Sequence, residues 1–330
     1  MTGNRQIVIQ TLPTDRLGEE HFKAVDAPMP TIGDGQLLIK NKLISLDAAN
    51  RAWMQGATYR QAVKAGDVMH AYTLGEVVES KATGFAKGDL VFGEGGWQQL
   101  YAIDAKKVER ARDYQPLSHQ LSLIGIAGKT AYHGLINVGR PKAGETVVVS
   151  AAAGSVGVFV GQIAKAIGCR AVGIAGGPEK CKWLVDELGY DAAVDYKAKS
   201  FRKDLAAAVP KGIDVFFDNV GGPILEAALF MMNMKGRIAC CGAVSQYDTS
   251  NMQSPRGVPG LLVVKRLRME GFIVMDFADQ DKEAEEKLLG WAKAGKIKTV
   301  EDIIDGLENA PKALIGLLAG ENRGKRMVRV

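Results

Sequence analysis

The chain has 330 residues, of which 47% are apolar and 24% charged, and a formal charge of +5. Such a composition belongs to an ordinary globular protein of about two domains, on a prior of about 150 residues each, and excludes an intrinsically disordered chain. The positive charge is spread along the sequence, with only short clusters such as Lys265-Arg266-Leu267-Arg268, which argues against a nucleic-acid partner.

The N-terminus runs from Met1-Thr2-Gly3-Asn4-Arg5 straight into the alternating pattern Ile7-Val8-Ile9, without the apolar segment of a signal peptide. The cysteines at 169, 181, 240 and 241 have neither disulfide-framework nor zinc-ribbon spacing, so a reducing, cytoplasmic setting is expected. Short β-type runs at 37–39, 75–78, 89–92 and 100–103 predict a mainly β first part, and the pattern turns helical between 117 and 138. From 146 onward strands and helices alternate: VVVSA, a helix over 156–167, AVGIA, a helix over 179–188, AAVDY, a helix over 201–209, IDVFFDNV, a helix over 224–231, then GRIACCG. This βαβαβ order predicts an α/β fold with a doubly wound parallel sheet covered by helices on both faces. A strand over 269–274, a charged helix over 280–294, the segment 303–318 and a strand over 326–330 complete the chain. The apolar stretch 147–164 approaches membrane-spanning length, but its small residues and Gln162 make it strand, turn and helix. The nucleotide-binding domain is expected at 121–294, with 1–120 and 295–330 forming the second, mainly β domain, completed by the returning C-terminal strand.

The segment VVVSAAAGSVG (147–157) reads as a buried strand, a small-residue turn and an apolar helix, like G-x-G-x-x-G with Ala152 in the first glycine position. Small residues let the backbone approach a pyrophosphate, and the helix N-terminus offers unpaired N–H groups and partial positive charge. A lone fingerprint is weak, but here the strand precedes, the helix follows and a second strand arrives on schedule. That second strand ends at Gly176, where an NAD site places an acid for the ribose 2′-hydroxyl. Lys180, with Tyr196 after the third strand, suits a 2′-phosphate instead, so NADP(H) is the expected cofactor, although Glu179 stands nearby. Gly128-Lys129-Thr130 ends like a Walker A loop, but the glycine it requires is Leu123. The histidines 21, 70, 119 and 133 are scattered, and no grouping has metal-ligand spacing.

Seven segments now carry a resemblance: GIAGKTAYHGL (125–135), VVVSAAAGSVG, GIAGGPEKC (173–181), FFDNVGG (216–222), CCGAVSQY (240–247), VVKRLRMEGFIV (263–274) and GENRGKRMVRV (320–330). Over nearly its whole length the chain resembles the zinc-independent medium-chain dehydrogenase/reductase superfamily, in its leukotriene B4 12-hydroxydehydrogenase, prostaglandin reductase and 2-alkenal reductase branch, which includes curcumin reductases. The resemblance implies a Rossmann domain joined to a GroES-like catalytic domain. Where zinc-bearing members carry His and Glu of a Gly-His-Glu motif, this chain has Ala71 and Tyr72, and no catalytic metal is implied.

By the same resemblance Thr130 lies beside the nicotinamide. Ala152, Ala153, Gly154, Ser155, Val156 and Gly157 form the pyrophosphate turn, and Gly176, Lys180 and Tyr196 surround the 2′-phosphate. Asn219 is a ribose-side contact; the run from Cys241 through Gly242 and Ala243 to Tyr247, with Phe272, Ile273 and Val274, lines the nicotinamide half; Asn322 is a contact from the C-terminal segment. The branch commonly has Asp-Pro-Tyr-Met-Arg where this chain has Asp47-Ala48-Ala49-Asn50-Arg51, which removes an aromatic wall and leaves Asn50 and Arg51 as substrate-side candidates. The expected reaction is hydride transfer from NADPH to the β-carbon of an α,β-unsaturated ketone or aldehyde, giving an enolate that is protonated at the α-carbon, with the cofactor ribose 2′-hydroxyl and the phenol of Tyr247 as candidates to meet the charge on the carbonyl oxygen. An NADPH-dependent quinone or carbonyl reductase, and a non-catalytic NADPH-binding sensor or RNA-binding relative, stay open as alternatives. The resemblance also implies a homodimer joined through the strand at 269–274.

Overall fold

The computed structural model describes residues 3–251 and 254–330, so the first two residues of the N-terminal reading lie outside it. The chain divides into two compact units, Met1–Leu121 with Glu301–Glu321 and Arg326–Val330, and Ser122–Val300 with Asn322–Lys325. Relative to the expected division, 295–300 and 322–325 belong with the nucleotide-binding part. Backbone hydrogen bonds account for the second segment: Gly324 N–H donates to the Ala153 carbonyl at 2.9 Å, and Lys325 N–H to the Val300 carbonyl at 2.9 Å.

In the first unit β1 (Asn4–Ile9) pairs antiparallel with β2 (Phe22–Ala27). The long β3 (Gln36–Ser45) leads through helix α1 (Ala49–Gln55) to β4 (Thr73–Ser80), β5 (Leu90–Gly93), β6 (Leu100–Asp104) and the short β7 (Glu109–Arg110). In the second unit α2 (Ile126–His133) precedes β8 (Thr146–Val149), α3 (Gly157–Ala166), β9 (Arg170–Ala175), α4 (Pro178–Leu188), β10 (Ala192–Asp195) and α5 (Phe201–Ala208). Then come β11 (Ile213–Asp218), α6 (Gly222–Met231), β12 (Met232–Cys240), α7 (Val258–Lys265), β13 (Arg268–Gly271) and α8 (Asp281–Lys293). The chain closes with β14 (Glu301–Asp305), α9 (Ala310–Leu318) and β15 (Lys325–Arg329).

One sheet has the order β14-β15-β3-β4-β5-β7, with β6 also on β3; the other is parallel, in the order β10-β9-β8-β11-β12-β13. Strands buried on both faces read as continuous apolar runs. Val147, Val148 and Val149 accordingly have no exposed surface, nor do Phe216 and Phe217 opposite them. Each such side chain contributes on the order of 1.5–3 kcal/mol of burial. The mainly β unit has its own core around Ile44, Leu46, Trp97 and Val328.

The expected strand at 269–274 is shorter than the pattern suggested. β13 stops at Gly271, and 3-10 turns begin at Val274, because the Ile273 N–H donates to the Asp276 carboxylate at 3.2 Å. Helix α7 went unread because its inward face, at Val258, Leu261 and Leu262, is only partly buried while apolar Val263 and Val264 on its other side are exposed, so the sequence shows no contrast between an apolar and a polar face.

Candidate cofactor and active site

The order of the parallel sheet, in chain sequence 3-2-1-4-5-6, puts the reversal of winding between β8 and β11, where open α/β sheets gather ligands at the strand C-termini. Both strand ends carry polar residues joined to each other. The Ser150 hydroxyl donates to Asp218 Oδ1 at 2.9 Å; Asn219 donates its backbone N–H to the Ser150 oxygen at 2.8 Å and its side-chain amide to the Ser150 carbonyl at 2.7 Å. Asp218 also accepts from the N–H groups of Val220 and Gly221, at 3.0 Å each on Oδ1. Burial pushes the Asp218 carboxyl up from its ordinary value, against these hydrogen bonds. Nothing in the sequence around Asp218 marks this role, because its partner Ser150 lies 68 residues away.

The phosphate turn is built by close packing. Ala151 takes a left-handed φ of 48°, so the turn's special conformation falls one residue before the position read as the first glycine. Ala152 is buried, donates its N–H to the Ile174 carbonyl at 2.9 Å, and packs its methyl against β9 at Gly173. A methyl group on Gly157 would lie 2.3 Å from the Ala151 carbonyl oxygen, which makes glycine mandatory where α3 meets β8. One on Gly154 would meet protein only at 3.2 Å, so the demand for glycine there comes less from the protein than from whatever approaches the turn. Gly154, Ser155 and Val156 are partly exposed, and the first N–H groups of a helix have no intrahelical acceptor. Buried Tyr190, also missed in the sequence, donates to the Gly157 carbonyl at 2.7 Å and pins the start of α3.

At the end of β9 the structure brings Gly176, Lys180, Tyr196 and Asn322 together. A side chain at 176 would press on the Tyr196 ring at 3.0 Å and the Lys197 stem at 3.1 Å. The nearest strand-end acid, Asp195, is occupied by backbone, accepting from the N–H groups of Gly177 at 2.8 Å and Lys197 at 2.9 Å. Lys180 donates to the Asn322 carbonyl at 2.6 Å, and the Asn322 amide donates to the Gly324 carbonyl at 2.8 Å. The 322–324 segment therefore spans from the phosphate turn, through the Gly324–Ala153 bond, to the first turn of α4.

The other end of the candidate site follows β12. Backbone N–H groups of Cys241 and Gly242 donate to the Asp218 carbonyl at 2.8 and 3.1 Å. Ala243 N–H donates to the Tyr247 hydroxyl at 3.1 Å, which leaves the phenolic proton available to another acceptor. Burial raises the Tyr247 pKa, so the phenol keeps that proton. Loss of water and the Asp218 carboxylate push both Cys240 and Cys241 up to about 12. Phe272 packs edge-on against Phe217 with ring centroids 6.1 Å apart, and a methyl on Gly134 would strike its ring at 2.2 Å. Ile273 and Val274 follow it, half-buried. Buried Thr130 rides on α2, which Lys129 fastens to α8 through Asp281 at 2.9 Å and Glu285 at 2.8 Å.

Asn50 and Arg51 are each only 1% exposed. Asn50 accepts from Asp47 N–H at 2.8 Å and donates to the His70 carbonyl at 2.7 Å, while Arg51 donates to the Asp15 carbonyl at 2.6 Å. Burial and these bonds make them supports of the α1 region, not groups presented to a substrate. Among the described residues no cluster of three or more His, Cys, Asp or Glu side chains is placed to hold a metal ion, and no helix is long and apolar enough to cross a membrane.

A parallel sheet of this order with a small-residue phosphate turn, in one chain with a mainly β unit, defines a two-domain dinucleotide-dependent oxidoreductase. The family profile described as the N-terminal domain of oxidoreductase matches residues 5–111, and that described as zinc-binding dehydrogenase matches residues 155–293. The NADPH-dependent curcumin reductase of Escherichia coli is 40% identical over 334 residues, covering 99% of this chain and 97% of that protein. The NADP-dependent 2-alkenal reductase of Nicotiana tabacum is 39% identical over 341 residues, again covering 99% and 97%. The crystal structure of CurA from Vibrio vulnificus in complex with NADPH superposes with a TM-score of 0.95 at 38% identity, covering 99% of both chains. The chain belongs to the zinc-independent medium-chain dehydrogenase/reductase family, in the branch of the curcumin, prostaglandin and 2-alkenal reductases.

Proposed function

We propose that this protein is an NADPH-dependent reductase that saturates the carbon–carbon double bond of α,β-unsaturated ketones and aldehydes without a metal. The observation that carries this reading is the end of β9, where glycine replaces the acid of an NAD site, Tyr196 and Lys197 lie against the vacated position, and Lys180 follows in the first turn of α4. The names of the relatives, a curcumin reductase, a 2-alkenal reductase and a pulegone reductase, support the substrate class.

The residues present fit NADP(H). Gly154 to Gly157 would take the pyrophosphate on backbone N–H groups, Lys180 and Tyr196 the 2′-phosphate, and Thr130, the Cys241–Tyr247 loop and Phe272 to Val274 the nicotinamide end. Asn219, tied to Ser150, would meet the ribose, and Asn322 would hold Lys180 in place. When bound, the cofactor supplies a hydride to the substrate β-carbon, and the enolate this leaves takes a proton at its α-carbon from solvent. Tyr247 then donates its hydrogen bond to the substrate carbonyl oxygen, where negative charge gathers; a preoriented donor of this kind is worth about 10²–10³ in rate.

The reading is tested by following NADPH and NADH oxidation with an enal, an enone, a quinone and a saturated ketone. Turnover of the enal and enone with NADPH, and none of the ketone, is expected. Turnover of the quinone alone would make the protein a quinone reductase, and tight NADPH binding without turnover of any of the four would make it a binding protein.

Two further readings belong with this one. The edge strand β13 and the exposed apolar side chains of the same unit, Phe230, Met234, Val263 and Val264, support a homodimer, and a monomer in sedimentation equilibrium would refute it. Four unpaired thiols support residence in the reducing cytoplasm.

A further inference from the structure

Between Asn322 and Gly324, both held by their own hydrogen bonds, the chain presents Arg323. Its guanidinium lies 5.6 Å from the centre of the Trp183 ring on α4, and 3.8 Å from the Glu179 carboxylate in the first turn of that helix. The residue before it offers its carbonyl to Lys180 at 2.6 Å, so the two cations are separated by one peptide unit across the loop. Lys197, on the far side of Gly176, is the third cation of the group. Two acids face these cations. Asp195 is held by backbone N–H groups; Glu179, with 90% of its side chain exposed, is met by Arg323 at long range.

We propose that Arg323 is a specificity residue for the 2′-phosphate, acting both as a second cation toward the phosphate and as the neutraliser of Glu179. The proposal rests on the NADPH reading above. An exposed ion pair at 3.8 Å is worth little, so it yields readily to a better anion. A phosphate offers Arg a bidentate, charge-assisted pair, and stacking on Trp183 already limits the rotamers that binding would otherwise have to freeze. Without Arg323, Glu179 would be the uncompensated charge nearest the site, repelling a 2′-phosphate and tolerating a 2′-hydroxyl.

Trp183 lets binding be read by fluorescence without turnover. Adenosine 2′,5′-bisphosphate and AMP are titrated into wild type, Arg323→Ala, Arg323→Lys and Arg323→Ala/Glu179→Gln, alongside NADPH and NADH, with thermal melting to verify folding. Arg323→Ala is expected to weaken the bisphosphate and NADPH about tenfold or more, a single charge-assisted contact, while leaving AMP and NADH within about twofold. Arg323→Lys should recover part of the loss, and Glu179→Gln should recover part of it in the Ala background. Equal losses for phosphorylated and unphosphorylated ligands, or no loss, would overturn the role of Arg323. If wild type itself shows no preference for the 2′-phosphate, the NADPH reading fails, whatever Arg323 does.

Discussion

The ends of β9 and β11 flank the same central strand, β8, and they treat acidic residues in opposite ways. At β11 the carboxylate of Asp218 is buried and turned inward, where Ser150, Val220 and Gly221 consume it as scaffolding. At β9 the corresponding end has Gly176, its neighbouring acids are engaged by backbone or by Arg323, and the cations Lys180, Lys197 and Arg323 stand around it. A strand end in this fold thus either fixes the geometry of the ligand-binding loops or selects the charge of the ligand, and the two tasks fall to different strands.

The largest effect should come from breaking the scaffolding end. Asp218→Ala leaves a buried hydroxyl and two N–H groups without their acceptor, and is expected to cost about 3 kcal/mol, lowering the melting temperature by about 4 °C. A pH series sharpens this. The raised Asp218 pKa means that the folded state keeps a proton the unfolded chain has already lost. Wild-type stability should therefore fall as pH rises from the ordinary carboxylate value through the raised one, and Asp218→Asn, which keeps the Oδ1 contacts, should flatten that slope in denaturant melts. An unchanged slope would show that Asp218 does not titrate there.

Next comes the loop that the same end supports. Tyr247→Phe should lower kcat about 100-fold with NADPH affinity nearly unchanged; a matching loss of cofactor affinity would make Tyr247 a packing residue. At the selecting end, Lys180→Ala should weaken NADPH about 10- to 100-fold and NADH far less, as isothermal titration would show; equal losses would remove Lys180 from the phosphate site. The smallest effect lies in the turn between the two ends. Ala151→Gly relieves the left-handed backbone at φ 48° but frees the unfolded chain, for a net gain of about 0.5 kcal/mol in urea melts.

Much of the second unit was legible because its signals are local. The valine run of β8, the glycine-bearing turn and the apolar helix after it lie within twenty consecutive residues, and the strand-helix alternation needs no distant partner to be read. What stayed hidden depends on tertiary neighbours. Asp218 gains its role only when Ser150 arrives from β8, and Tyr190 only when it reaches the Gly157 carbonyl. Arg323 and Lys197 are ordinary surface cations until the fold sets them around Gly176 and Glu179. Asn50 and Arg51 stand out in sequence because they follow the lost aromatic of a motif, but polar residue types carry no mark of burial, and the structure encloses both. The fingerprint was aligned on Ala152, whereas the strained residue is Ala151, a distinction that lives in backbone angles and not in side-chain size.

The thiols of Cys240 and Cys241 have one more consequence. An enzyme that gathers electrophilic enones risks being alkylated by its own substrates, and the attacking species would be thiolate. With both pKa values pushed up to about 12, only about one thiol in 10⁵ is ionised at neutral pH. The shift holds the two sulfurs at the end of β12 in the thiol form, which disfavours their alkylation.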